Sequence, residues 1–107
     1  MGQVRTAIHA HATAGAAPGQ VLARTNRLLA DLDSELLVSC LYVHLDLSRG
    51  QASFANAGHV PPLLRHARHP AAVLDVEPGP LLGIDTGDDY PVTTVPLLPG
   101  TTLALYT

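Results

Sequence analysis

The sequence predicts an α+β fold, with two helices leading into a run of antiparallel strands. Three observations carry that expectation. Apolar residues recur at helical spacing through residue 33 and at alternate positions from Leu37 onward. Tight-turn chemistry, Ser48-Arg49-Gly50-Gln51 and Pro99-Gly100, separates successive strand-like runs. Helical spacing does not return between the strands, which argues against a βαβ parallel sheet.

The first helix is expected over residues 1–14. Val4, Ile8 and either His11 or Ala12 form its thin apolar stripe, and Gly15 is the stop signal. The second is expected over 18–33. Pro18 suits a first-turn position, where its missing N–H costs nothing. Val21, Leu22, Leu28, Leu29 and Leu32 then make one apolar face, with Arg24, Arg27 and Asp31 away from it.

From Leu37 to Leu47 the period is two. Leu41, Val43, Leu45 and Leu47 alternate with Cys40, Tyr42, His44 and Asp46. Apolar groups on both faces predict a central strand. After the turn, Ala52 to Ala57 returns as the second arm of a hairpin. Short strands at 62–65 and 72–76 flank a polar loop, His66 to Pro70. A Gly/Pro/Asp-rich loop is expected from Glu77 to Asp89, then strands at 90–97 and 101–107. Leu103, Leu105 and Tyr106 are still in strand pattern at the chain end, and the first helix begins abruptly. The expectation is therefore one partial domain over 1–107, truncated at both ends and poorly folded when isolated.

Composition narrows the function. Apolar residues make up 47% of the chain but aromatics only 4%, so the core must be built from Ala, Val and Leu. The net charge is −3 and all six basic residues are Arg, spread along the chain without interleaved aromatics. That argues against a nucleic-acid groove and a polybasic membrane anchor. Cys40 is the single cysteine, so no internal disulfide forms, which suits a cytoplasmic location. No leader-like apolar core opens the chain, and no apolar run approaches the ~20 residues of a membrane span.

Few residues offer chemistry. His9 and His11 are two apart on a helix and face apart, so they cannot share a metal. His66 and His69 lack a Cys or carboxylate at ligand spacing. Ser39-Cys40 lies in an apolar strand rather than on a nucleophile elbow, and a buried Cys behaves as a small hydrophobe. Asp85, Asp88 and Asp89 share a loop with Gly83 and Gly87, but their spacing reads as turns rather than a cation loop. That leaves Asn56-Ala57-Gly58-His59-Val60-Pro61-Pro62-Leu63-Leu64. Gly58 permits an unusual backbone angle, and the two prolines stiffen the path into the next strand. The residue chemistry favours a rigid connection whose His59 bonds backbone groups, over direct catalysis by His59.

This stretch resembles the Ala-Gly-His-x-Pro-Pro-Leu-Leu signature of the stage-II-sporulation-E-type phosphatases, a branch of the PPM (protein phosphatase 2C-like) superfamily. Val21 to Leu29 resembles that family's Leu-x-x-x-Asn-x-x-Leu helix, and Cys40 to Leu47 its central strand. Gly79 with Leu82-Gly83-Ile84 is similar to its Gly-x-Pro-Leu-Gly loop. Pro99 to Thr107 resembles Pro-Gly-Asp-x-Leu-x-Leu-Tyr-Thr, which in the family runs on into Asp-Gly. Two positions depart, Leu81 for the family's Pro and Thr101 for its Asp.

The resemblance implies a β-sandwich flanked by helices, and an enzyme that hydrolyses phosphoserine or phosphothreonine with two Mn²⁺ or Mg²⁺ ions. It implies a phosphorylated anti-sigma-factor antagonist, or a similar regulatory protein, as partner. It places none of the family's catalytic or metal ligands within 1–107. Ala57, Gly58, His59, Pro61 and Pro62 carry over as a motif loop with a structural role. Two other readings stay open: a catalytically dead phosphatase-like binding domain, and an unrelated small α+β ligand-binding domain.

Overall fold

The computed structural model describes residues 2–32, 35, 37–84 and 89–106. Helix α1 spans Gly2–Thr13 and α2 spans Pro18–Asp31. Among the described residues seven strands follow: β1 Cys40–Asp46, β2 Gln51–Ala57, β3 Leu63–Arg65, β4 Ala72–Val73, β5 Pro78–Gly79, β6 Val92–Pro96 and β7 Thr102–Ala104. The helices-then-strands order matches the expectation. Among the described residues, no helix is long and apolar enough to cross a membrane.

The β1–β2 hairpin pairs Cys40 with Ala57 through to Asp46 with Gln51. Its turn is closed by Asp46, whose carboxylate accepts from the Ser48 hydroxyl at 2.7 Å and the Arg49 amide at 3.2 Å. Those bonds, the Ser48 hydroxyl first, hold its pKa below the usual carboxylate range. On its other edge β2 pairs with two strands in succession. β6 runs antiparallel to residues 51–55, and β5 runs parallel to Asn56 and Ala57. The second sheet is β4-β3-β7, antiparallel throughout.

Here the structure corrects the strand order. Among the described strands β1 pairs only with β2 and is an edge strand, while β2 is central. The alternation in β1 records what its two faces touch, not how many neighbours it pairs with. β5 is a second correction. Pro78-Gly79 was expected to lie in a loop, and instead makes a short parallel pairing. Strand 101–107 pairs only over Thr102–Ala104; Leu105 and Tyr106 run on unpaired, and Thr107 lies outside the described residues.

β2 separates two apolar layers. Ala52 and Phe54 face one side, fully buried, with Val76 and with Leu41, Val43, Leu74, Val95 and Leu103 packed around them. This is the contact between the two sheets. Ala55 and Ala57 face the other side, against Leu22, Ala23 and Leu29 of α2, Val4 of α1, and Val38, Leu82 and Tyr90. Ala on that face lets a helix lie close over the strand.

The buried face of α2 also differs from the expected one. It runs through Val21, Leu22, Thr25, Asn26 and Leu29, while Leu28 and Leu32 are 39% and 48% exposed. Thr25 tolerates burial because its hydroxyl donates to the Val21 carbonyl at 2.8 Å. Leu28 and Leu32 instead line an open groove of about 840 Å³ beside Ala7 and Ala10 of α1.

Two predictions follow from this packing. Phe54 is the largest fully buried side chain, so Phe54→Ala should cost about 4 kcal/mol, read as a lower urea midpoint with unchanged m. A loss under ~1 kcal/mol would contradict its place between the sheets. Tyr90 is 4% exposed and donates to the Pro80 carbonyl at 2.8 Å. Its phenol is pushed up to about 12, first by burial and second by the Cys40 charge. A raised acid favours the protonated fold, so this stability is complete below about pH 10 and is lost as pH climbs towards 12. Tyr90→Phe should flatten that alkaline loss, measured as urea midpoint against pH; an identical slope in both proteins would refute it.

Candidate functional site

The antiparallel hairpin places the start of β1 beside the end of β2. The segment after β5 and the exit of β7 meet them there. This end of the sheets collects Ser39, the Asn56–Pro62 connection, Pro80–Ile84 and Leu105–Tyr106; hydrogen bonds of the His59 ring join the connection to Ser39 and Tyr106, and Leu82 pairs with Val38 beside Ser39.

The connection is built from β2 outward. Gly58 turns the chain at φ +65°, in the left-handed region that favours glycine, and its N–H donates to the Gly79 carbonyl at 3.0 Å. Gly79 itself has no room for a side chain, since a Cβ there would lie 2.5 Å from the Tyr90 ring. Asn56, 2% exposed, then clamps the backbone of His59. Its Oδ1 accepts from the His59 N–H at 2.7 Å, and its Nδ2 donates to the His59 carbonyl at 3.0 Å. Beyond the exposed Val60, Pro61 is half-buried and Pro62 buried. The Pro62 carbonyl accepts from Leu74 N at 2.9 Å, which starts the second sheet.

With its backbone held, His59 spans two other segments through its ring. Nε2 lies 2.9 Å from the Tyr106 carbonyl, and Nδ1 lies 3.2 Å from the Ser39 hydroxyl. A cavity of about 240 Å³ lies alongside, lined by Ser39, Cys40, Leu41, His59, Leu105 and Tyr106.

Asn26 makes a second amide clamp from α2. It accepts from Gly83 N at 2.8 Å and donates to the Ile84 carbonyl at 2.5 Å. The adjoining Leu82 exchanges both backbone bonds with Val38, at 2.9 and 3.0 Å. Thus α2 is tied to the loop after β5, and that loop to the residue beside Ser39.

The motif residues Ala57, Gly58, His59, Pro61 and Pro62 therefore lie along one short path at the sheet end. Sequence reasoning singled out Asn26 only as the Asn of the Leu-x-x-x-Asn-x-x-Leu pattern and Ser39 only as part of a strand, and it assigned no contact to either, nor to Asn56 or Tyr106. A polar Asn in an otherwise apolar helical face was the available signal for Asn26. Cys40 is half-buried, and burial pushes its thiol pKa up, which lowers its thiolate content and its nucleophilicity. His66 lies 3.3 Å from the Thr101 hydroxyl through Nδ1. Asp85 and Asp88 lie outside the described residues. Among the described residues, no three His, Cys, Asp or Glu side chains gather where a metal could be held. The described residues thus do not fit a two-metal centre by themselves.

A family model described as stage II sporulation protein E matches residues 1–107. No curated protein matches the chain. The fold is similar to the crystal structure of the RsbU and RsbW domains of Rv1364c from Mycobacterium tuberculosis, with TM-score 0.82 and 30% sequence identity. That likeness covers 96% of this chain and 29% of the other, so the chain spans under a third of that relative.

The amide clamps yield a prediction. Asn56→Asp keeps the acceptor but sets a carboxylate oxygen against the His59 carbonyl. It should destabilise by at least as much as Asn56→Ala, about 2–3 kcal/mol by chemical denaturation. An aspartate variant as stable as the parent would show that the amide nitrogen contributes nothing.

Proposed function

The chain belongs to the stage II sporulation protein E family, within the PPM-type phosphatases, and on that premise we propose that it serves a metal-dependent protein serine/threonine phosphatase. The observation that carries this reading is the family match over the whole of 1–107, joined to a fold that superposes on an RsbU domain at 30% identity. The reaction is hydrolysis of a phosphoserine or phosphothreonine ester by water. Two bound Mn²⁺ or Mg²⁺ ions would supply an activated water and neutralise the phosphoryl oxygens. Their ligands are assigned to residues other than those described, because the described ones form no such set.

This chain's own contribution is the framework at one end of the sheets. Asn26, Asn56 and His59 fix the loops there, and Gly58 and Gly79 let them approach closely. Catalysis by preorganised groups depends on such a framework, since misplacement by ~1 Å costs large factors in rate. The substrate we propose is a phosphorylated regulatory protein of the anti-sigma-factor-antagonist kind. Its support is the similar mycobacterial protein, which carries an RsbW domain in the same chain as its RsbU domain. A lone, half-buried cysteine accords with a reducing cytoplasm.

The test is phosphate release from a phosphoserine protein substrate by the intact protein with Mn²⁺ present. The expected result is turnover that a chelator abolishes and added Mn²⁺ restores, with none from the 107-residue chain alone. Absence of chelator-sensitive release from the intact protein, with the substrate hydrolysed by a control phosphatase, would sink the proposal.

A further inference from the structure

His59 is held at its backbone and at both ring nitrogens. Its backbone N–H and carbonyl are both taken by the buried amide of Asn56. Gly58, in the left-handed region, sets the direction in which the residue leaves β2. The Tyr106 carbonyl can only accept, so the ring nitrogen 2.9 Å away, Nε2, must carry the proton. In the neutral ring Nδ1 is then an acceptor, and the Ser39 hydroxyl at 3.2 Å is its donor. One tautomer satisfies both contacts.

The far end of this bridge matters because of where strand pairing stops. β7 pairs with β3 only as far as Ala104. Leu105 and Tyr106 continue without a strand partner and are 54% and 45% exposed. Among the described residues, the hydrogen bond from His59 is the one that holds this stretch. It crosses 47 residues of sequence, and its companion to Ser39 crosses 20.

We infer that His59 is a positioning residue, an Nε2–H strut that fixes the backbone leaving β7 at Tyr106 against the start of β1. Ser39 sets the ring's tautomer and rotation, and Asn56 sets its base. The strut determines the direction in which the chain leaves the second sheet, at the end where the loops converge. Its effect on phosphate hydrolysis rests on the phosphatase reading; the strut itself does not.

The experiment compares wild type, His59→Ala, His59→Gln and Ser39→Ala in the intact protein. Glutamine can bring an amide N–H near the position of Nε2, so it should keep the Tyr106 bond. Hydrogen exchange at Ala104, the last residue that β7 pairs, should rise roughly tenfold in His59→Ala as that end frays. It should stay within about threefold of wild type in His59→Gln, with β2 amides unchanged throughout. Nitrogen NMR of the wild-type ring at mildly alkaline pH should show the proton on Nε2, and Ser39→Ala should loosen that preference. On the phosphatase reading, His59→Ala lowers kcat while KM for a small phosphate ester holds. Wild-type exchange in His59→Ala, or failure of glutamine to restore it, overturns the strut. So does a neutral ring protonated on Nδ1. Should His59→Ala not fold, the ring NMR and the His59→Gln exchange decide alone. An intact protein without turnover removes the phosphatase reading and leaves the exchange and NMR results to judge the strut.

Discussion

Strand β2 is buried on both faces and paired along both edges, and the other elements take their places from that constraint. Four of its residues, Ala52, Phe54, Ala55 and Ala57, have no exposed surface. The side chains on its two faces do different things. Phe54 fills the space between the sheets, where one aromatic ring replaces several aliphatic contacts. The alanines opposite are small enough for α2 to settle on the strand. A chain with so few aromatics uses its one Phe at the site where two layers need most volume. Such a strand must also end abruptly, because its continuation would run into the segment after β5. Gly58 makes that turn, and its N–H still finds the Gly79 carbonyl.

The loops beyond the sheet are held by buried amides rather than by apolar packing. A buried amide with no partner costs about 2 kcal/mol or more. Asn26 and Asn56 avoid that penalty in the same way, each matching one backbone donor and one backbone acceptor. The match leaves a single orientation for each amide, since exchanging oxygen and nitrogen would oppose like groups on both contacts. A side chain with one permitted orientation specifies the loop it holds. Leucine at either position would bury more apolar area and would leave two backbone groups unpaired.

The period of the pattern made the helix and strand types legible, and little beyond period was legible. β1 reads as central because Leu41 and Val43 alternate with Cys40 and Tyr42. Both rows are indeed covered, one by each apolar layer. Coverage of faces and pairing of edges are separate properties, and only the first leaves a periodic trace. The face of α2 was displaced for a related reason. Leu28 and Leu32 outrank Thr25 and Asn26 on any hydrophobic scale, yet the latter two are buried because their polar atoms find partners inside. Thr25 finds its partner at Val21, one turn back, but those of Asn26, Gly83 and Ile84, lie more than fifty residues away, beyond any local pattern. At the sheet end, Gly58, His59 and the two prolines were legible as a stiff connection. Ser39 and Tyr106 were not, because what brings them to His59 is the pairing of strands far apart in sequence.

The same geometry bears on which groups could do chemistry. A histidine acting as general acid or base needs one ring nitrogen directed at the reacting group. In His59 Nε2 faces a backbone carbonyl and Nδ1 a serine hydroxyl, so neither nitrogen faces an open partner. Releasing Nε2 for proton transfer would free Tyr106 and loosen the stretch that the ring holds. Releasing Nδ1 would free Ser39 alone, but Nδ1 is the nitrogen nearer the clamped backbone and has less reach. The ring's hydrogen-bonding capacity is thus committed to the fold. On the phosphatase reading proposed above, proton transfer falls to other groups, and the framework's part is to keep the loops at this end of the sheets in register.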